Sequence, residues 1–225
     1  MQTALTPWPS IEQITQAAPL PHGYSYVWMA RKHIQPLIQS IAKWYPDIKV
    51  GSASQFLRED FYLEKVSLDG EAIKDIFIFL ISYKNEIVTM GCAERDMLTL
   101  SFYAGLAVVS PEHRDSGIGR SFTRIPEFSA REMGLEYIYV LATLKIPHVQ
   151  ALYEKLGFTL IGFVPGYDRE EVSPGVVKRV VEAAYAKVLV PKDQMLWPDV
   201  KNMTPRTQAL FLHLFPDGPP TSPLQ

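Results

Sequence analysis

A chain of 225 residues, 47% hydrophobic and 20% charged, is long enough to bury the core of one domain with an appendage, and has the balance of an ordinary folded soluble protein. Its 22 basic and 24 acidic side chains leave a formal charge of -2, with no Lys/Arg run longer than two. That excludes an electrostatic case for nucleic acid or an anionic membrane as partner. Nor does any apolar run approach the ~20 residues needed to span a bilayer, and the first residues lack the basic and apolar regions of a secretory signal, so the expectation is a cytoplasmic protein.

Residues 1–22 read as a proline-rich arm with one short helix, which Ser10 and Gln13 start as a capping box. A strand follows over residues 24–28, then a helix in which Ile34, Leu37, Ile38 and Ile41 recur at helical spacing until Trp44-Tyr45-Pro46 ends it. The spacing of Phe56, Leu57 and Phe61 predicts a second helix from near Ser54. Three strands come next, over 75–83, 86–94 and 98–109, joined as antiparallel hairpins through Lys84-Asn85 and Arg95-Asp96. The lone cysteine, Cys92, lies in this apolar region as a buried, inert thiol.

After Pro111 the period becomes helical over 117–133, with a kink expected at Pro126 and a stop at Gly134. Residues 137–142 form a buried strand, 147–156 a helix ended by Gly157, and 158–164 and 176–189 two strands joined by a long loop. The element order is β-α-α-β-β-β-α-β-α-β-β. It predicts an α/β (α+β) fold, one mixed sheet covered by helices over residues 23–190. Residues 191–225 form an extension broken by seven prolines. Thr204-Pro205 starts a helix there, whose stripe of Leu210, Phe211, Leu214 and Phe215 packs on its own domain; a homodimer contact is the competing use.

The chemistry concentrates at Arg114-Asp115-Ser116-Gly117-Ile118-Gly119. A strand ends at Val109-Ser110-Pro111, and two glycines then frame the mouth of a helix, where bare backbone N–H groups converge on an anion at the positive helix end. A diphosphate suits such a turn, with Arg114 or Arg120 adding charge-assisted bonds. Three familiar phosphate motifs fail. A dinucleotide fingerprint needs glycine where Phe122 sits, a P-loop needs Gly-Lys-Ser/Thr, and the kinase-like triplet His113-Arg114-Asp115 has Arg120 in place of the required Asn.

Val109-Ser110-Pro111 followed by Arg114 to Gly119, together with Ala151-Leu152-Tyr153-Glu154-Lys155-Leu156-Gly157-Phe158 one strand and one helix later, resembles the two signature blocks of the GNAT superfamily of N-acetyltransferases. The resemblance covers residues 24–190. It implies a central, mixed, mostly antiparallel twisted sheet flanked by helices, with strands 4 and 5 splayed around acetyl-CoA as co-substrate. It also implies acetyl transfer to a primary amine of a small molecule or peptide, with a noncatalytic CoA-binding sensor or transfer of a longer acyl group as alternatives.

Carried over residue by residue, the resemblance assigns the pantetheine arm to Ala107, Val108 and Val109, and the diphosphate to Arg114, Asp115, Ser116, Gly117, Ile118, Gly119 and Arg120. Tyr153 matches the proton donor to the departing thiolate, although it also belongs to an apolar stripe with Val149, Leu152 and Leu156 that suits a core residue. His148 stands where relatives carry Asn, either bonding the cofactor or facing solvent. Glu94 is the nearest candidate base, with Tyr103 holding a water, against a solvated strand-end carboxylate and a pure water relay. Asp168 and Glu170, in a polar loop over 166–171, are the acceptor-amine ligands. The five histidines show no ligand spacing, and no metal is expected.

Overall fold

The computed structural model describes residues 6–216. The first residues of the predicted arm, and the end of the predicted extension with Pro219, Pro220 and Pro223, lie outside the described residues. Seven strands make one sheet: β1 (Tyr24–Trp28), β2 (Ile76–Tyr83), β3 (Glu86–Asp96), β4 (Ser101–Val109), β5 (Tyr137–Thr143), β6 (Thr159–Ser173) and β7 (Val176–Val188). Their order is β1-β2-β3-β4-β5-β7-β6, antiparallel throughout except for the parallel pair β4–β5. The helices are α1 (Ile11–Ala17), α2 (Ile34–Trp44), α3 (Glu59–Lys65), α4 (Ile118–Phe122), α5 (Ile125–Glu132), α6 (Pro147–Lys155) and α7 (Pro205–Leu214).

Strand β2 explains the layering. Its run Ile76-Phe77-Ile78-Phe79-Leu80-Ile81 is apolar without interruption because both faces are covered. Phe77, Phe79 and Ile81 join a core with Ile14 of α1, Ile118 and Phe122 of α4, and Ile125 of α5. Ile78 and Leu80 point the other way, against Ile34, Leu37 and Ile41 of α2 and Phe61 and Tyr62 of α3. The β2–β3 turn places Lys84 and Asn85 at φ 50 and 69, the left-handed pair that matches the twist of a hairpin.

The N-terminal arm enters the first core. Trp8 stacks on Phe77 at 5.1 Å and donates to the Lys74 carbonyl at 3.0 Å. The Tyr26 hydroxyl donates to the Ala18 carbonyl at 2.7 Å, and Ser121 Oγ of α4 donates to that of Pro19 at 2.6 Å. Helix α1 carries the Ser10–Gln13 capping box read from sequence. At the other end Thr204 caps α7, which lies along β6, with Phe211 and Trp197 both against Phe215.

Four local expectations are corrected. The helix predicted from Ser54 is a 3-10 turn (Ser52–Leu57) followed by α3, with extended Arg58 between them. The strand predicted from Leu98 starts at Ser101, because Asp96 accepts from the amides of Leu98 and Thr99 and holds a turn there. The kinked helix over 117–133 is two helices, α4 and α5. Pro126 sits in the first turn of α5, where a missing N–H costs nothing, and the break falls at Thr123–Arg124. The long loop after Val164 does not exist. Strands β6 and β7 continue as one hairpin turning at Pro174–Gly175, and the segment read as a polar loop over 166–171 lies in β6. Pro165 is tolerated there because β6 is the sheet edge and the register slips between Pro165 and Asp168.

Candidate active site

The parallel pairing of β4 with β5 covers only Ser101–Tyr137, Phe102–Ile138 and Tyr103–Tyr139. Beyond it β4 runs on to Val109 and β5 to Thr143 without meeting, which is the splay that the resemblance implies. Two features force the strands apart. A bulge on β4 sets Gly105 and Leu106 against the single residue Cys92, bending the strand, while β7 pairs with β5 along its whole length and holds it away. The gap opens into a cleft of ≈ 1130 Å³ that runs from α4 and α6 to β6 and β7.

One end of the cleft is the glycine turn. Ala107 and Val109 line it, whereas the Val108 side chain is buried in the opposite core. Gly117 has φ 86, a left-handed conformation that glycine adopts without strain, and this sends the chain into α4. The amides of Gly117, Ile118 and Gly119 precede or open α4 and have no acceptor within it. Ile118 is fully buried and anchors the turn in the core, whereas Gly119 lines the cleft. A Cβ built on Gly119 would meet nothing within 4 Å, so the space above its amide is open. Ser116 differs from the expectation: its amide and Oγ both bond the His113 carbonyl, at 3.3 and 2.7 Å, and brace the turn. Arg114 lies 5.6 Å over the Tyr45 ring, and Asp115, Arg120, Arg124, Lys155 and His148 border the same cleft.

The turn is braced from outside its own motif. His113 Nδ1 is 2.7 Å from the Tyr24 hydroxyl, with the rings of Tyr24 and Tyr83 against the imidazole at 5.6 and 5.2 Å. The Pro21 ring approaches Gly117 from the arm side.

Tyr153 lines the middle of the cleft from α6, its ring against Phe158 at 5.2 Å and Tyr185 at 6.3 Å. Burial pushes its phenol up to about 12. Tyr153 therefore both packs on the core and lines the cleft.

The far end gathers acidic and phenolic groups. Glu94 stands opposite Tyr103 in the β3–β4 register, and both border the cleft and an adjoining groove of ≈ 450 Å³. Burial first, then Asp75 and Asp96, raise the Glu94 carboxyl. Burial raises the Tyr103 phenol, with Tyr167 and Glu182 adding to it. Asp168 borders the cleft, but its carboxylate is engaged: Oδ1 accepts from the amides of Ser52 and Arg169 and Oδ2 from Ser52 Oγ, each at 2.7 Å. It caps the Ser52–Leu57 turn. Glu170 is not among the lining residues and pairs with Lys145.

Two residues that sequence reasoning missed occupy this end instead, Tyr167 of β6 and Glu182 of β7. The signal for Glu182 was a lone carboxylate in the apolar run Val180-Val181-Glu182-Ala183-Ala184. Among the described residues no group of three or more His, Cys, Asp or Glu could hold a metal, and no helix is long and apolar enough to cross a membrane.

Residues 74–160 match the family model described as an acetyltransferase (GNAT) domain. No curated protein matches the chain. Among solved structures, the ribosomal-protein-S18-alanine N-acetyltransferase from Escherichia coli superposes with a TM-score of 0.57 at 12% identity, over 78% of this chain and 99% of that one. A mutant spermidine N-acetyltransferase from Vibrio cholerae gives 0.55 at 14% identity, over 75% and 95%. The microcin C7 self immunity acetyltransferase, solved with acetyl-CoA and AMP, gives 0.52 at 16%, over 75% and 93%. At these identities the likeness is one of fold.

Proposed function

We propose, from the match of residues 74–160 to the GNAT acetyltransferase domain model, that this protein is an acetyl-CoA-dependent N-acetyltransferase acting on a primary amine of a small molecule or peptide. The observation that carries the reading is the cleft itself. It is continuous from the glycine turn, past the unpaired stretch of β4 and Tyr153, to Glu94 and Glu182. A donor and an acceptor therefore reach one another in the gap between β4 and β5.

The residues present suit acetyl-CoA. Ala107 and Val109 offer β4 backbone that no β5 residue pairs, matching an extended amide-bearing arm. The exposed glycines Gly117 and Gly119, with Arg114 and Arg120 beside them, suit a diphosphate. His148, in the first turn of α6, borders the same space. In the reaction the amine nitrogen bonds to the thioester carbonyl carbon, the C–S bond breaks, the amine gives up a proton and the thiolate takes one. Tyr153 keeps its proton throughout the neutral range and lines the cleft, where it would serve as the hydrogen-bond donor to the departing thiolate. Glu94, raised by desolvation, is poised to take the amine proton directly or through water beside Tyr103.

Calorimetry with acetyl-CoA, followed by thiol release over a panel of amines, tests the proposal. Saturable binding with acceptor-dependent release is expected. Binding without turnover on any amine would leave a sensor, and the absence of binding would remove the reading altogether.

A further inference from the structure

The charges lining the cleft are segregated. Arg114, Arg120, Arg124 and Lys155 enter it from the α4 region and α6, with Asp115 the one acidic exception there. Glu94, Asp168 and Glu182 enter from β3, β6 and β7. A polyanionic donor suits the first wall; the second needs a positive occupant.

The three acidic groups are not equivalent. Asp168 is saturated by Ser52 and the Arg169 amide. Glu94 lies at the junction with the adjoining groove, near Asp75 and Asp96. Glu182 lines the cleft with Asp168 as its acidic neighbour and makes no ion pair among the described residues. It stands opposite Thr143, the last residue of β5, at the open end of the gap between β4 and β5. Ion pairs among the described residues engage Asp60, Glu71, Asp75, Glu127 and Glu170, and neither Glu94 nor Glu182. Lys145, two residues beyond Thr143, is already taken by Glu170. The phenols of Tyr103 and Tyr167 complete the surroundings, both close enough for Glu182 to influence their ionisation. A desolvated carboxylate with no countercharge is costly unless a ligand brings one.

Resting on the acetyltransferase reading, we propose that Glu182 selects the acceptor, receiving a cationic amine beside the Tyr103 and Tyr167 phenols, with Glu94 lining the same cleft. The acceptor class is then an amine that carries positive charge beyond its reacting nitrogen. Acceptors bearing a carboxylate or phosphate near the amine are rejected by the same two glutamates. The burial and the neighbouring Asp168 that raise the Glu182 carboxyl agree with a site lacking its countercharge.

The test is a matched series in which one end of the acceptor varies: 1,4-diaminobutane, butylamine and 4-aminobutanoate. The enzyme is expected to favour the diamine over the aminobutanoate by about tenfold or more in kcat/KM, the size of one partly desolvated charge contact. Glu182→Gln should reduce that preference to within about threefold while leaving the KM for acetyl-CoA unchanged. Glu86→Gln, which removes the same charge at the exposed β2–β3 turn, should leave the preference intact. A binding readout stands beside the kinetics: diaminobutane should raise the melting temperature of the wild-type protein and not that of the Glu182→Gln variant. Retention of both the preference and the thermal shift in the variant overturns the proposal, as does a wild-type preference for the neutral or anionic acceptor. Loss of acetyl-CoA binding by the wild-type protein strikes instead at the acetyltransferase reading, and the diamine thermal shift still decides the role of Glu182.

Discussion

Replacing Tyr153 with phenylalanine removes one oxygen from the cleft and leaves the ring packed on Phe158 and Tyr185. The size of the effect follows from the burial that pushes the phenol up to about 12. Complete proton transfer to a thiolate of ordinary pKa ~8.5 is uphill by ~3.5 units, about 5 kcal/mol. A free phenol would face only about half of that. Tyr153 therefore acts less by surrendering its proton than by directing an O–H bond at charge growing on sulfur. One preorganised donor of this kind is worth roughly 10²–10³ in kcat.

The expected result is a fall in kcat of about 10²-fold, with the KM for acetyl-CoA within about threefold, because the bond strengthens only as the C–S bond breaks. Thiol release gives the rates and calorimetry the affinity. The melting temperature should hold or rise slightly, since no packing is lost. A phenol at about 12 also contributes no falling limb to the rate below about pH 10. Full activity in the phenylalanine variant would transfer the proton to water and refute the reasoning. Loss of acetyl-CoA affinity together with kcat would show that Tyr153 shapes the cleft and does not act in it.

Gly119→Ala should fold normally, because its Cβ meets no atom within 4 Å, yet raise the KM for acetyl-CoA about tenfold by intruding above the amides of the turn. Gly117→Ala should instead lower stability by about 1–2 kcal/mol, read by chemical denaturation, because φ 86 strains any residue with a Cβ. Tyr24→Phe removes the 2.7 Å link to His113 and should weaken acetyl-CoA binding a few-fold with kcat preserved, measured by calorimetry and initial rates. The carboxyls of Glu94 and Glu182 are raised in the folded state, so just above the ordinary carboxylate value the native protein binds more protons than the unfolded chain. Stability is therefore lost as pH rises through the raised values. The double variant Glu94→Gln, Glu182→Gln should match the wild-type melting temperature near pH 4 and exceed it at neutral pH; an equal gap at both values would contradict the assignment.

What was legible in the sequence was local. Val109-Ser110-Pro111 and the two glycines marked the turn because a proline ending a strand and a glycine at positive φ act on their own few residues. Tyr153 was visible through its place in the block from Ala151 to Phe158 that carries the resemblance. The hairpin at Lys84-Asn85 and the caps at Ser10 and Thr204 were likewise short-range events. The splay of β4 and β5 followed from the resemblance alone. Its physical cause, one extra residue on β4 opposite Cys92 and the grip of β7 on β5, is a matter of register and has no signature in either strand.

The β6 segment at the proposed acceptor end was misread for a related reason. Gly162, Pro165 and Gly166 punctuate β6 as a loop would, yet each falls at or beside a register shift in an edge strand, where a missing donor or an extra residue does no harm. Reading a loop there left Asp168 and Glu170 as free acidic groups and kept Glu182 out of consideration. Once the hairpin is continuous, Asp168 is drawn onto Ser52, Glu170 onto Lys145, and Glu182 is carried by β7 to the end of β5. On the proposed function, donor recognition is written in a short motif because a diphosphate is met by one turn of the chain. The proposed acceptor site is assembled from β3, β4, β6 and β7, so it would vary with strand register while the turn stays fixed. A change of acceptor between proteins that share this turn then needs no change in the turn, only a residue swap at positions such as Glu182.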